Sequence, residues 1–178
     1  MNEQFYIMHS EPQVGIKSGI HPMEEYDEIA LAKGEYVPSN QPWPVSCGKG
    51  TRWKDVVKFT NPFNIAVSAA FKKVLDDNGF SGWKAIELDI LDDPDRGYFC
   101  LQVVGRSGPV DRPEVAGYVD GMKFDHQTWD GSDIFIPDGT VTILCTKRVR
   151  DAFVSTKLTK LSFVDINEHR WFSGAKKA

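Results

Sequence analysis

The 178-residue sequence contains only three cysteines, Cys47, Cys100 and Cys145. Three is an odd number, and it is too few for the disulfide framework on which small secreted domains depend. Cys100 and Cys145 lie within apolar, strand-like runs, where cysteine commonly serves as a small hydrophobic residue. The sequence therefore predicts three reduced thiols and a cytoplasmic protein.

The sequence also lacks a long apolar run and an excess of positive charge. No segment approaches the roughly 18 apolar residues of a membrane-spanning helix, and the start of the chain lacks the basic and apolar regions of a signal peptide. The formal net charge is −4, which argues against nucleic-acid binding because such proteins usually present a basic surface. Neither a membrane nor a nucleic acid is therefore expected as a partner.

Motifs that carry catalysis or bind metal ions are missing as well. The four histidines are scattered along the chain, without a second ligand at metal-binding spacing. The closest approach to a reactive cluster consists of Asp125, His126, Asp130 and Asp133. These residues could form a metal or general-base site, but a polar turn between two strands is the favoured interpretation. No metal and no catalytic residue is predicted.

The sequence does contain a clear helix followed by a strand, within residues 61–90. One helical stripe is formed by the apolar residues Val67, Phe71, Val74 and Leu75. Ser68 is placed to cap the start of the helix, and Gly79 can adopt the left-handed conformation that ends many helices. Residues 84–90 then alternate between apolar and polar side chains, which predicts a half-buried strand.

Residues 139–167 follow the same plan. At an offset of 78 positions and without a gap, Ser68 falls on Thr146, another residue suited to cap a helix. The apolar stripe of the first helix falls on Cys145, Val149, Ala152 and Phe153. This repetition predicts an α+β protein with mixed or antiparallel sheets and two similar helix–strand units. A single domain is expected over residues 1–178, with possible lobes at 1–105 and 106–178.

Shorter elements are predicted between and around the two units. Strands are expected at residues 5–8, 98–104, 134–136 and 141–145, and residues 105–121 are expected to form a loop. A short helix after residue 22 would present Met23, Tyr26, Ile29 and Ala30 on one face. The segment QPWP at residues 41–44 breaks regular structure, and its Trp43 is expected to be buried under a loop.

The motif positions of the two units can be compared with those of known families. In the first unit they are Val67, Ser68, Phe71, Leu75 and residues 79–82. In the second unit they are residues 133–136, Ile143, Thr146, Arg148, Val149, Leu158 and Thr159. Together with a first strand at residues 5–8, this pattern resembles a family of bacterial immunity proteins of polymorphic toxin systems, long catalogued as a domain of unknown function and typified by myxobacterial sequences. The resemblance spans about residues 50–170. The chain departs from the family at IFIP, residues 134–137, where the family tends to show a Phe-Arg pair, so no role of that arginine is carried over.

The resemblance implies a non-catalytic protein that binds and neutralises a cognate bacterial toxin, without turnover and without a cofactor. Residues 1–99 hold 10 basic and 15 acidic side chains, and this acidic half suits a basic toxin surface. The partner-binding residues predicted on this basis are Glu24, Glu25, Asp27, Glu28, Asp92, Asp93 and Asp95. Two alternatives are open. A metal-assisted hydrolase requires the cluster around His126 to converge in a pocket, and a structural or adaptor protein recognised through QPWP requires an exposed Trp43.

Overall fold

The structure, a computed structural model, describes residues 3–10, 19–48, 53–61, 63–159 and 161–174. These residues form three α-helices, one 3₁₀ helix and thirteen strands. The helices are α1 Glu28–Ala32, α2 Ala69–Asp77 and α3 Lys147–Val154, and the 3₁₀ helix is His126–Thr128. The strands are β1 Phe5–Ser10, β2 Ile20–Pro22, β3 Trp43–Cys47, β4 Val56–Lys58, β5 Ile65–Ser68, β6 Trp83–Ile90, β7 Tyr98–Val103, β8 Gly105–Ser107, β9 Gly117–Asp120, β10 Ile134–Pro137, β11 Leu144–Thr146, β12 Leu161–Asp165 and β13 Arg170–Ser173.

Two larger sheets and one ribbon contain these strands. The first sheet has the order β2-β3-β6-β7-β5-β4, and the second has the order β12-β1-β11-β10-β8. Strands β9 and β13 form the separate two-stranded ribbon. Most pairs are antiparallel, but β3 runs parallel to β6, and β8 runs parallel to β10. The predicted α+β class with mixed and antiparallel sheets is confirmed.

The repetition seen in the sequence is reproduced in the topology. The first unit is β4-β5-α2-β6, and the second unit, 78 residues later, is β10-β11-α3-β12. In each unit the strands before and after the helix are parallel, and one antiparallel strand separates them. This split β-α-β arrangement confirms the prediction of two similar helix–strand units.

The strand in the middle of each unit comes from a different part of the chain. In the first unit it is β7, which follows β6 in a hairpin, and Cys100 lies between Ala66 and Ile86. In the second unit it is β1, and Ile7 lies between Leu144 and Val164. These two residues are 78 positions after Ala66 and Ile86. Strand β1 therefore takes the place of β7 in the same register, and a division of the chain at residue 105 would separate β1 from its neighbours.

Helices α2 and α3 meet in one core that both units share. The rings of Phe71 and Phe153 have centroids 4.5 Å apart, and both side chains are buried. Tyr6, Val67, Leu101, Ile134 and Cys145 from the two sheets join the same cluster. Burying a side chain of this size contributes about 1.5–3 kcal/mol. Two smaller clusters cover the outer faces of the sheets.

The first helix begins and ends where the sequence predicts. The hydroxyl of Ser68 accepts a hydrogen bond of 3.2 Å from the backbone N–H of Phe71. The helix is followed by Gly79 with φ of +59°, and Phe80 folds back into the core. At the equivalent place in the second unit, Thr146 stands at the N-cap position of α3 but makes no capping hydrogen bond. The predicted N-cap position is confirmed, but the side-chain hydrogen bond expected of a cap is absent.

Three other predictions needed correction. Residues 105–121 are not a continuous loop, because they contain β8 and β9, whose pairing depends on distant strands. The strand predicted at residues 141–145 begins only at Leu144. Helix α1 buries Leu31 and Ala32, whereas the predicted core residue Ile29 is 40% exposed. Helix α1 has only five residues, so the spacing of its apolar side chains did not determine which face is buried.

Gly82 marks the point where the first unit docks on the second, and its replacement is testable. Gly82→Ala is expected to cost about 3 kcal/mol or more of unfolding free energy, because its Cβ would lie 1.9 Å from the carbonyl oxygen of Ile134. Gly79→Ala is the matched control, since Gly79 also has a positive φ but an added Cβ would meet no atom within 4 Å. Urea-induced unfolding would measure both variants, and equal losses would contradict the docking contact.

Candidate functional site

The carboxylate of Asp133 joins the two units. Its Oδ2 accepts hydrogen bonds from the backbone N–H and the hydroxyl of Ser81, at 2.9 and 3.1 Å. Its Oδ1 lies 2.9 Å from Nε of Arg148 and 3.4 Å from the hydroxyl of Thr146. Asp133 precedes β10 in the second unit, whereas Ser81 follows α2 in the first. A buried carboxylate therefore fixes one unit to the helix–strand connection of the other.

Arg148 supplies the positive charge that Asp133 needs in its buried position. The guanidinium also lies 4.8 Å from the ring centroid of Phe80, and it donates a 3.2 Å hydrogen bond to the carbonyl oxygen of Asn78. A cation over an aromatic face and a charge-assisted hydrogen bond are both favourable. Arg148, the second residue of α3, thus binds a carboxylate, a ring and the C-terminal end of α2 together.

Asp55 makes the same contact in the opposite direction. It precedes β4 as Asp133 precedes β10, 78 positions earlier. Its Oδ2 accepts hydrogen bonds of 2.8 and 3.0 Å from the backbone N–H and the hydroxyl of Thr159, which follows α3. Its Oδ1 accepts a 2.8 Å hydrogen bond from the hydroxyl of Ser68. The two contacts are reciprocal, so the two units are related by an approximate two-fold rotation.

The two sites differ at one important position. Ala70 is the second residue of α2, where α3 has Arg148. Beside Ala70 the structure has a cavity of about 490 Å³. The side chains that matter for its chemistry are Trp53, Asp55, Asp95, Arg96 and Tyr98. One carboxylate site is thus closed by an arginine of its own helix, and the other borders a cavity.

Two aromatic rings form part of the wall of this cavity. The rings of Trp53 and Tyr98 have centroids 4.8 Å apart. The Tyr98 hydroxyl donates a 2.7 Å hydrogen bond to the carbonyl oxygen of Lys54. Burial raises the pKa of Tyr98 to about 12, and the negative charge of Asp55 adds to the increase. Tyr98 is therefore neutral at physiological pH, and the carboxylates provide the negative charge of the cavity.

Most of the predicted acidic residues take part in the protein's own hydrogen bonds. Glu24 accepts from the Tyr36 hydroxyl, which lowers the pKa of this carboxyl group, and from the backbone N–H of Ser39. Asp27 caps α1 by accepting from two backbone N–H groups. The carboxylates of Glu25 and Glu28 are exposed. They make no side-chain hydrogen bond to the residues that the structure describes.

The second acidic cluster is also partly used within the fold. Asp92 accepts a 2.9 Å hydrogen bond from the backbone N–H of Cys47. Asp93 accepts from the indole N–H of Trp53 and pairs with Arg96 at 3.1 Å. Asp95 is exposed and lines the cavity beside Asp55.

The structure separates the two acidic clusters. Met23, which precedes the first cluster, is bonded to Pro44 near the start of β3. The second cluster begins at Asp92, which is bonded to Cys47 at the end of β3. The clusters therefore lie at opposite ends of one strand and do not form a continuous patch.

The residues of the metal-assisted alternative have separate structural roles. Asp125 caps the 3₁₀ helix, and His126 lies against the rings of Phe5 and Phe124. Asp130 accepts hydrogen bonds from two backbone N–H groups of its neighbourhood, while Asp133 binds Ser81 and Arg148 as described. Within the described part of the chain, no group of three or more His, Cys, Asp or Glu side chains is arranged to hold a metal ion.

Trp43 is completely buried at the start of β3. Its ring packs against Tyr26, Tyr36 and Phe59. The predicted burial of this residue is confirmed, but the predicted break in regular structure was wrong for Trp43 and Pro44, which pair with β6 as part of β3. The exposed tryptophan that recognition through QPWP requires is not present, so the expectation of the adaptor alternative was wrong.

The two strand cysteines behave as the sequence predicts. Cys100 in β7 and Cys145 in β11 are buried. Burial raises the pKa of both thiols, which keeps them protonated and unreactive at neutral pH.

An exposed aromatic pair on the ribbon was not predicted. Tyr118 of β9 and Phe172 of β13 lie directly opposite each other, with ring centroids 5.5 Å apart. Their exposed fractions are 70% and 63%. The guanidinium of Arg170 lies 5.4 Å from the Tyr118 ring. No pattern in the sequence predicted this pair, because Tyr118 lies in the segment expected to be a loop.

A signal for the carboxylate sites was present in the sequence. The same offset of 78 that aligns the apolar positions also aligns Asp55 with Asp133 and Ser81 with Thr159. Polar residues of the same chemical type at equivalent places in a repeat are less common than shared apolar ones, so they indicate a contact that both units make. The exception, Ala70 against Arg148, indicates where the two sites differ.

No protein-family model matches the chain, and no curated protein matches it either.

No helix in the described residues has both the length and the apolar character needed to cross a bilayer.

The ion pair between Asp133 and Arg148 should be measurable by a double-mutant cycle. Asp133→Asn and Arg148→Ala, made singly and together, are expected to show a coupling of about 1 kcal/mol in unfolding free energy. The value is modest because 56% of the Arg148 side chain is exposed and solvent screens the pair. The control cycle combines Arg148→Ala with Asp55→Asn, which share no contact and should add. Additive losses at Asp133 would contradict the ion pair.

Proposed function

We propose that this protein is a non-catalytic binding protein of the immunity type, which sequesters a cognate bacterial toxin. The proposal starts from the resemblance of the two helix–strand units to immunity proteins of polymorphic toxin systems. Such a role needs a preformed surface with a few anchoring side chains and complementary charge. It needs neither a metal ion nor a cofactor.

The observation that carries the proposal is the exposed pair Tyr118 and Phe172. Large aromatic side chains are costly to leave in water, and they are enriched among the residues that dominate protein–protein binding energy. Here two of them lie side by side on a hydrogen-bonded ribbon, which holds their backbone in place before a partner arrives. Preorganised anchors of this kind lose little conformational entropy on binding.

The charge of the protein favours a basic toxin surface. The net charge is −4, and Glu25, Glu28 and Asp95 present exposed carboxylates. The remaining predicted partner-binding residues, Glu24, Asp27, Asp92 and Asp93, add negative charge from positions fixed by hydrogen bonds. Carboxylates at the rim of an interface mainly accelerate association and make it sensitive to salt.

The anchoring role of the ribbon can be tested with the C-terminal domain of the protein encoded by the adjacent gene, which the proposal expects to be the toxin. Tyr118→Ala with Phe172→Ala is expected to abolish protection in cells that co-express this domain, and to weaken its binding at least a hundredfold. Val37→Ala, at another exposed apolar side chain (72%), is the control and should protect fully. Circular dichroism would verify folding. A double variant that binds and protects normally would contradict the anchor, and a wild-type protein that neither binds nor protects would overturn the proposed function.

The acidic residues can be tested separately through binding kinetics. Reversing Glu25, Glu28 and Asp95 to lysine is expected to slow association with the same toxin domain about tenfold or more at low salt. The difference should shrink as salt is raised, because the Debye length falls to about 8 Å at 0.15 M ionic strength. Reversing three exposed carboxylates of the second half that lie outside the ribbon, Asp111, Glu114 and Asp138, is the charge-matched control. Equal association rates for all three proteins would contradict electrostatic steering by the acidic clusters.

A further inference from the structure

We propose that the cavity beside Asp55 binds an arginine side chain of the partner protein, in the position that Arg148 takes in the second unit. The protein contains its own example of the bound state. Asp55 and Asp133 occupy equivalent places, hold equivalent partners, and differ in whether the adjoining helix supplies a guanidinium group. The proposal rests on the proposed function only for the identity of the protein that provides the arginine.

The hydrogen bonding of Asp55 leaves capacity for such a ligand. A carboxylate oxygen can accept two hydrogen bonds. Oδ1 of Asp133 has Arg148 at 2.9 Å and the Thr146 hydroxyl at 3.4 Å, whereas Oδ1 of Asp55 accepts from the Ser68 hydroxyl at 2.8 Å. A guanidinium that enters beside Ala70 would take the second place on this oxygen.

The walls of the cavity suit a planar cation. Trp53 and Tyr98 provide aromatic surface. The residue 78 positions after Phe80 is Leu158, so these two rings would take the part that Phe80 has below Arg148. Guanidinium groups stack on aromatic rings and bind carboxylates through two parallel hydrogen bonds, whereas an ammonium group is a compact, strongly hydrated point charge. Asp95 offers a second carboxylate at the same cavity. These features favour arginine over lysine.

Positive groups also border the cavity, and they do not exclude a cation. Arg96 is paired with Asp93 at 3.1 Å. Lys54 also lines the cavity. The N-terminal end of α2 carries a partial positive charge. Arg148 lies in the first turn of α3, where the same partial positive charge acts, and its guanidinium nevertheless binds Asp133. The carboxylate contact therefore outweighs the helix dipole at the equivalent place.

Arg52 and Lys160 are the sequence neighbours of Trp53 and Thr159, which line the cavity. Both lie outside the described residues. An occupant from the same chain is therefore the competing explanation, and the experiment includes variants that remove these two side chains.

The test is a titration of the full-length protein with N-acetyl-arginine amide, followed by NMR through the backbone amides of Ala69 and Ala70. Millimolar binding is expected for a single side chain, with the lysine analogue at least threefold weaker. Asp55→Asn should weaken the arginine probe tenfold or more. Ala70→Arg, at an exposed position, should abolish probe binding by placing a guanidinium in the cavity. Arg148→Ala should create a second binding site, detected at the amide of Ser81.

The outcomes separate the alternatives. Absence of probe binding to the wild-type protein, or binding that Asp55→Asn leaves unchanged, would overturn the proposal. Binding that appears only after Arg52→Ala with Lys160→Ala would assign the cavity to a side chain of the same chain, which also overturns it. If the probe binds as expected but Ala70→Arg still forms the toxin complex with unchanged affinity, the assignment of the cavity to the toxin is wrong, while the immunity function stands.

Discussion

The architecture depends on two carboxylates, the buried Asp133 and the half-buried Asp55, that each bind the other unit. Asp55 holds the connection after α3, and Asp133 holds the connection after α2. A carboxylate removed from water must be compensated by good hydrogen-bond geometry, so each contact specifies distance and direction far more narrowly than apolar packing does. The rings of Phe71 and Phe153 supply apolar contact between the same two units. The polar pair fixes their register, and the apolar core supplies most of the stabilising free energy.

Much of this fold could be predicted from the sequence because local signals agree with one another. The apolar stripe, the Ser68 cap and Gly79 define α2 without reference to the rest of the chain, and the offset of 78 carries the same plan to the second unit. The insertion of β1 could not be predicted, since its neighbours are more than 130 residues away along the chain. The two units are not equivalent at Thr146. Its hydroxyl donates a hydrogen bond to Asp133 and does not accept one from the backbone of α3.

The candidate site was less predictable, for a physical reason. Counting charges locates acidic segments, but it does not reveal which carboxylates are used internally, and Glu24, Asp27, Asp92 and Asp93 all are. The cavity depends on a side chain that is absent from α2, so no motif marks it. Only a comparison of the two units with each other reveals Ala70 as the informative residue. Exposed anchors such as Tyr118 and Phe172 carry no periodic signal, because one partner comes from each of two distant strands.

The central position of β1 has a consequence for how the protein is made. During synthesis, residues 53–103 can complete the first unit while the ribosome is still adding the rest of the chain. Strand β1 is made before the other described strands, yet its neighbours β11 and β12 are among the last three. Its apolar segment must wait for more than 130 further residues before it can pair with β11, and longer before it can pair with β12. Long-range pairing of this kind slows folding and leaves strand edges exposed to aggregation. The edges of β1 therefore stay open to pairing with other chains until β11 and β12 have been made.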